Sequence, residues 1–352
     1  VSVIIVGGGP AGSSCAWRLQ RRGIDCLVLD KEPFPRTKLC AGWITPGVVE
    51  DLEMDIASYP HRFLTFEKLL FHLPVLSLAP PTVQHSIRRF EFDAWLLERS
   101  GAPVETHTVR TIEQDGSGYL LDGQYRCDYL VGAGGTRCPV YRELFRNQAP
   151  RAAKKQVVAL EEEFPFDYQD IRCHLWFFEN KLPGYAWYVP KADGYLNIGI
   201  GAMAEKLKNQ QGDIRSYWNN LIQKLQRKNL VRGHDFNPRG YSYYVRGKQS
   251  RFRTGNAFIS GDAAGLATKD MAEGIGPAVK SGLMAADAIA GNASYDPTII
   301  ERKSFEPKRL VRSWLFRKPY LSAPGCASDR AWSVEAMESS HEPWEQPAKP
   351  AG

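Results

Sequence analysis

The sequence has no run of about eighteen apolar residues, which excludes a membrane-spanning helix as a sequence expectation. It has no CxxC pair: its seven cysteines (Cys15, Cys26, Cys40, Cys127, Cys138, Cys173 and Cys326) are scattered and odd in number. That speaks against a disulfide framework and a zinc site, so no metal is expected and a reducing compartment is. It has no internal repeat, which removes solenoids and other repeat architectures. No secretory leader is expected: the sequence opens directly on the strand-like "VSVIIV" without an initiator Met, so a residue or two are expected to precede it and a cytoplasmic location is expected.

What remains is an ordinary globular composition of 352 residues, 43% hydrophobic and 24% charged, enough for one large or two ordinary domains. The net charge of +6 is concentrated: "ERKSFEPKRLVRSWLFRKPYL" (301–321) holds seven Lys or Arg against two Glu. With Phe305, Leu310, Trp314, Leu315 and Phe316 interleaved, this segment suits a basic helix whose face meets a membrane surface, an anionic substrate mouth or an electron donor. It equally suits a helix packed on the body with a solvated basic face. Peripheral membrane contact through 301–318 is one expectation, and a poorly ordered tail from Ser322 another. No nucleic-acid partner is expected.

The first thirty residues read strand, glycine turn, helix, strand, which signals an α/β parallel sheet. Gly7, Gly9 and Gly12 have GxGxxG spacing: a tight turn, an approach for a pyrophosphate, and close helix–strand packing. The second strand ends "LVLD", placing Asp30 to accept ribose hydroxyls and to repel a 2′-phosphate, with Lys31 beside it. A second glycine cluster, "FISGDAAGLATKDMAEGIGPAVKSG", separates FAD from NAD. A buried strand ends at Gly261 and Asp262, where a carboxylate meets a polyol chain. A helix then begins at Gly274, Ile275 and Gly276, offering N–H groups to a carbonyl that gains charge on reduction. Only a flavin has both a ribityl chain and such a carbonyl. Lys269 and Glu273 flank that helix start, as an acid or base near the ring or as simple helix-start charges.

"GGGPAG…LVLD", "CDYLVGAGGTRCPVYREL" and "FISGDAAG…EGIGPAVKSG" resemble the three FAD motifs of p-hydroxybenzoate-hydroxylase-like flavoproteins, over residues 1 to about 290. The resemblance implies a Rossmann-like FAD-binding domain with an inserted antiparallel β-sheet substrate domain. Its boundaries are 1–60, 88–150 and 250–300 for FAD, 61–87 and 151–249 for substrate, and 301–352 for the basic segment and tail. It implies that Asp30 binds the adenosine ribose, Asp262 the ribityl chain, Gly132 the cofactor, and Arg88 or Arg89, with Arg89 preferred, the pyrophosphate. Where the family has Ala-Asp-Gly, this chain has Ala133-Gly134-Gly135, so an aspartate associated with NAD(P)H use is missing.

The stretch "GYAWYVPKADGYLNIGIG" (184–201) reads as a hairpin with Tyr185 and Trp187 on one side and Gly199 and Gly201 opposite. Aromatics facing one way, with glycines that let something approach, suggest a wall beside an apolar ligand, or else an aromatic core. Together with "KLCAGWI", it resembles the geranylgeranyl reductase family's YxWxFP…GxG signature and Cys-Gly-Gly loop. That resemblance implies an FAD-dependent oxidoreductase reducing C=C bonds of a prenyl-type or other apolar substrate, with NAD(P)H or a ferredoxin-like protein as electron donor. Cys40, Tyr185 and Trp187 are its implied catalytic group. Cys40 stays open as proton donor, thiolate or inert thiol. His72, His85 and His174 read as surface or packed residues. The alternatives are an O2-using monooxygenase or halogenase on the same fold, and a non-catalytic flavin-binding protein.

Overall fold

Strand Val3–Val6 is apolar on both faces and wholly buried, as a strand in the middle of a parallel sheet must be. It pairs in parallel with Cys26–Asp30 on one side and Tyr129–Gly132 on the other. The last of these pairs in parallel with Ala257–Ile259, and a six-stranded sheet results. Helices Pro10–Arg21 and Ile275–Ile289 cover one face through Cys15, Leu19, Ala285 and Ala286. Tyr119, Leu121 and Phe145 cover the other. The small-residue helix earns its composition at Gly282, where a Cβ would stand 2.1 Å from the Ala11 carbonyl oxygen. The computed structural model describes residues 1–249, 251–291 and 293–304. The expectations for the basic 301–318 segment and the tail therefore lie outside the described residues from Phe305 onward.

The second sheet has nine strands. Its centre is antiparallel: Arg239–Tyr244, Gln156–Pro165, Tyr195–Met203, Gly184–Lys191 and Cys173–Phe177 lie side by side, followed by Leu64–His72 and Pro81–Ser86. One strand differs from the sequence boundaries: Trp43–Ile44, inside the stretch assigned to the cofactor domain, pairs with Ser86 and His85 in this sheet.

Period-2 alternation gives the sheet two unlike faces. Leu160, Trp176, Tyr188, Ile198 and Ile200 pack on Trp218, Leu221 and Leu225 of helix Ile214–Arg227, whose N-terminus is capped by the Asp213 carboxylate. Each such large apolar side chain contributes about 1.5–3 kcal/mol by leaving water. The core of this layer is thus on the helix side. The opposite face carries Tyr185, Trp187, Lys191, Glu161, Asn197, Tyr241 and Tyr243. The register sets two rows on it: Trp187–Gly199–Glu161, and Tyr185–Gly201–Ala159–Tyr241.

Candidate functional site

The first glycine loop is shaped by what a side chain would strike. Gly7 has φ +109°, and a Cβ there would lie 2.5 Å from the Ala133 carbonyl oxygen. A Cβ at Gly12 would lie 1.8 Å from the Gly7 oxygen. Gly9 differs: the nearest atom to a Cβ is Nη2 of Arg36 at 3.6 Å, so the space before the loop is open except for one guanidinium. Helix Pro10–Arg21 begins there with no side-chain cap, leaving its first N–H groups for an anion. Asp30 is buried and does more than wait for a ribose: it accepts Gly8 N–H at 2.8 Å and Glu32 N–H at 3.1 Å. A carboxylate has about four acceptor positions, so capacity remains. Lys31 points outward and pairs with Glu32 at 2.8 Å.

The two candidate arginines part company. Arg88 turns to Glu163 and Glu91, both at 2.8 Å, and stacks on Tyr195. Arg89 is buried and holds Asp93 with two bonds of 2.6 and 2.7 Å. Arg36 joins this pair to the loop, 4.0 Å from Asp93 and 3.7 Å from Asp30. Sequence reading missed Arg36, because no spacing rule connects "FPRTK" to a glycine turn.

At the second cluster, Gly261 (φ +54°) turns the chain and donates its N–H to Ser281 Oγ at 2.9 Å. The Asp262 carboxylate makes no hydrogen bond to a described residue, and its Oδ1 lies 3.3 Å from where a Gly274 Cβ would be. The Asp262 carboxylate thus stands beside the start of helix Ile275–Ile289, whose N-cap residue Gly274 brings no side chain. Ile275 sends its side chain into the core with Val48 and Val279, leaving only its backbone for a ligand. The Gly276 N–H donates to Glu273 Oε1 at 2.9 Å, so Glu273 serves as a helix-start charge. Gly132 ends its strand where a Cβ would lie 2.7 Å from Val140 Cβ, a packing need. These two cradles fit the pyrophosphate, adenosine and ribityl parts of FAD.

Between cradle and sheet lies Cys40, held by its backbone. Its N–H donates to Glu161 Oε1, and its carbonyl accepts from Asn197 Nδ2 at 3.3 Å. The fully buried Lys191 ammonium donates to the carbonyls of Ala41 and Gly42, each at 2.5 Å, and of Ile87 at 2.9 Å. Three side chains from three adjacent strands therefore pin one loop. Burial drops the Lys191 ammonium to about 8, against the pull of Glu163, Cys40 and Glu161. Burial raises the Glu161 carboxyl to about 7, although the Cys40 N–H and Lys191 favour its charge. Sequence reading missed Glu161, Lys191 and Asn197; inward polar positions at period 2 in "VVALEEEF", "WYVPK" and "YLNIG" were the available signal.

Tyr185 donates to the Met271 carbonyl at 2.7 Å, tying the hairpin to the loop before the cofactor helix. Burial raises its hydroxyl, as it raises those of Tyr241 and Tyr243. Trp187 is buried and donates its indole N–H to Asn197 Oδ1 at 2.7 Å. Gly199 corrects an expectation. A Cβ there would stand 2.1 Å from Trp187 Cζ2, so what approaches this glycine is the chain's own indole. A Cβ at Gly201 would lie 3.5 Å from Cζ3 of the same ring. The histidines form no part of this site. His72 bonds His174 at 3.0 Å and His174 bonds Asp170 at 3.0 Å on the sheet's helix side, while His85 bonds Thr65 at 2.9 Å.

Residues 2–88 match the family model for FAD dependent oxidoreductases, and residues 155–236 match that for the geranylgeranyl reductase catalytic domain. An uncharacterized protein of Methanosarcina barkeri is 30% identical over 86% of this chain and 78% of its own length. A menaquinone reductase of Mycolicibacterium smegmatis is 28% identical over 94% and 88%. A geranylgeranyl bacteriochlorophyll reductase-like protein of Thermoplasma acidophilum shares the fold, with TM-score 0.70 and 20% identity over 89% of this chain and 82% of that one. Flavin-dependent halogenases share it too, below 25% identity, which is a likeness of fold alone. Glycine loops that leave room for a pyrophosphate and a ribityl chain, a pinned cysteine loop and matches to both family models lead to one assignment: the chain is an enzyme of the geranylgeranyl reductase family of FAD-dependent oxidoreductases.

Proposed function

We propose that this enzyme reduces carbon–carbon double bonds in a prenyl-type chain. The supporting observation is the asymmetry of the second sheet. Its apolar core is complete on the helix side, yet the opposite face presents Tyr185, Trp187, Tyr241 and Tyr243 around the Cys40 loop. Bound FAD, once reduced, supplies a hydride from N5. The chain's own residues supply the rest. Asp262 and the start of helix Ile275–Ile289 hold the ribityl side, and Arg36 and the Gly9 loop the diphosphate. The aromatic faces line the apolar chain and favour positive charge developing at the carbon that receives the hydride. Glu161, half-protonated near neutral pH, stores a proton beside Cys40 and Tyr241.

The test is anaerobic photoreduction of the purified holoenzyme followed by addition of a prenyl substrate. Reoxidation with a saturated product is the expected result; an oxygenated or halogenated product on admitting air would overturn it. Mixing the oxidised enzyme with NAD(P)H in one arm and reduced ferredoxin in another identifies the electron donor.

A further inference from the structure

In a chain whose residues are 24% charged, the stretch from Leu69 to Ile87 contains no Asp, Glu, Lys or Arg. Its two histidines are neutral as well: burial lowers His72 to about 4 and lowers His85. Its two ends are buried, at Leu69 and at His85 to Ile87, but its middle is at the surface. Strand Leu64–His72 turns through Leu73 N–H donating to the Leu76 carbonyl and returns as Ser77–Leu78. At this turn Val75 is 90% exposed, Leu76 44% and Leu78 52%. Phe178, from the neighbouring strand's end, is 55% exposed.

This tip is continuous with the site. Phe71, Leu175 and Trp187 are register partners across three strands, and Phe177 partners Tyr185, so all lie on the aromatic face. Ring centroids step inward from Phe178 to Phe177 (6.1 Å), Phe177 to Tyr185 (5.1 Å) and Tyr185 to Trp187 (5.8 Å), with Phe71 joining Phe177 at 5.6 Å. We propose that the uncharged 73–78 turn, with Phe178, dips into a lipid bilayer, and that the aromatic row behind it is the path along which an apolar chain passes from the bilayer to the site. The occupant is argued from three features. A stable protein partner needs about 800 Å² on each side, more than a narrow turn offers. A bilayer needs only a few inserted side chains without charge. The row that leaves the tip ends beside the pinned cysteine loop. The second half of the proposal rests on the prenyl reading of the site; the first does not.

The experiment is flotation of the full-length holoenzyme with phosphatidylcholine vesicles, in low and high salt, without substrate. The wild-type chain is expected to float in both. Val75→Asp combined with Leu76→Asp is expected to weaken partitioning about a hundredfold, with flavin content and melting temperature unchanged. Binding that requires anionic lipid and vanishes in salt would overturn the proposal in favour of a basic segment. So would failure to float, or a dimer in sedimentation that the same substitutions dissociate. Turnover of a short prenyl substrate is measured separately in lipid-free solution. If the enzyme floats and fails to reduce it, the substrate reading falls while the lipid contact stands.

Discussion

At Glu161 the fold sets burial against charge. The carboxyl faces the Cys40 N–H, Tyr241, Lys191, Lys38 and Glu163, and titrates near 7 instead of 4.5. Its folded form therefore holds a proton that the unfolded chain has lost, so this group favours folding below about pH 4.5 and opposes it as pH rises through 7. The penalty is on the order of 3 kcal/mol at alkaline pH. Glu161→Gln keeps the acceptor for Cys40 and removes the titration. Denaturation at pH 5 and pH 8 is expected to show the variant gaining stability relative to the wild-type chain only at the higher pH. Lys191→Met has the opposite character. It leaves the carbonyls of Ala41, Gly42 and Ile87 without their donor and is expected to cost about 2–4 kcal/mol. Faster reaction of Cys40 with a thiol reagent would register the loosened loop. In sequence, period 2 puts Lys191 on the same strand face as Tyr185 and Trp187, but the loop it pins and the burial that shifts its titration depend on residues distant in the chain.

Among elements, the strand–loop–helix unit at the start separates two kinds of glycine. Gly12→Ala is expected to abolish folding, since its Cβ meets a carbonyl oxygen at 1.8 Å. Gly9→Ala meets only Arg36 and is expected to fold but to be purified with less flavin, measured by absorbance. The sequence motif names both glycines and cannot rank them; the ranking comes from what stands opposite each. The central hairpin behaves similarly. Gly199→Ala drives a methyl into the Trp187 indole and is expected to cost about 1–3 kcal/mol. Pairing it with Trp187→Leu should recover much of that loss in a double-mutant cycle. The period-2 pattern made the hairpin and its two faces readable in advance. The direction from which Gly199 is approached was not, since an external ligand and an internal indole leave the same glycine in the sequence.

Across the whole molecule, the alternation of strand, turn and helix was enough to foresee a parallel cofactor sheet and an antiparallel partner sheet. Hydrophobic period and glycine spacing are local quantities, and both sheets are built from them. The links between the sheets are not local. Lys191 reaches Ala41, Asn197 reaches Cys40, and Tyr185 reaches Met271, each across a long separation in the chain. A single phenolic hydroxyl couples the aromatic hairpin to the loop that leads into helix Ile275–Ile289. If, as proposed, an apolar substrate lies against that hairpin, its arrival is expected to reach the polar surroundings of a bound flavin through this bond, and the yellow colour becomes a gauge of occupancy. Titration with a saturated prenyl analogue is expected to shift the visible absorption bands of the wild-type protein, and Tyr185→Phe to mute that response while leaving the bound pigment in place.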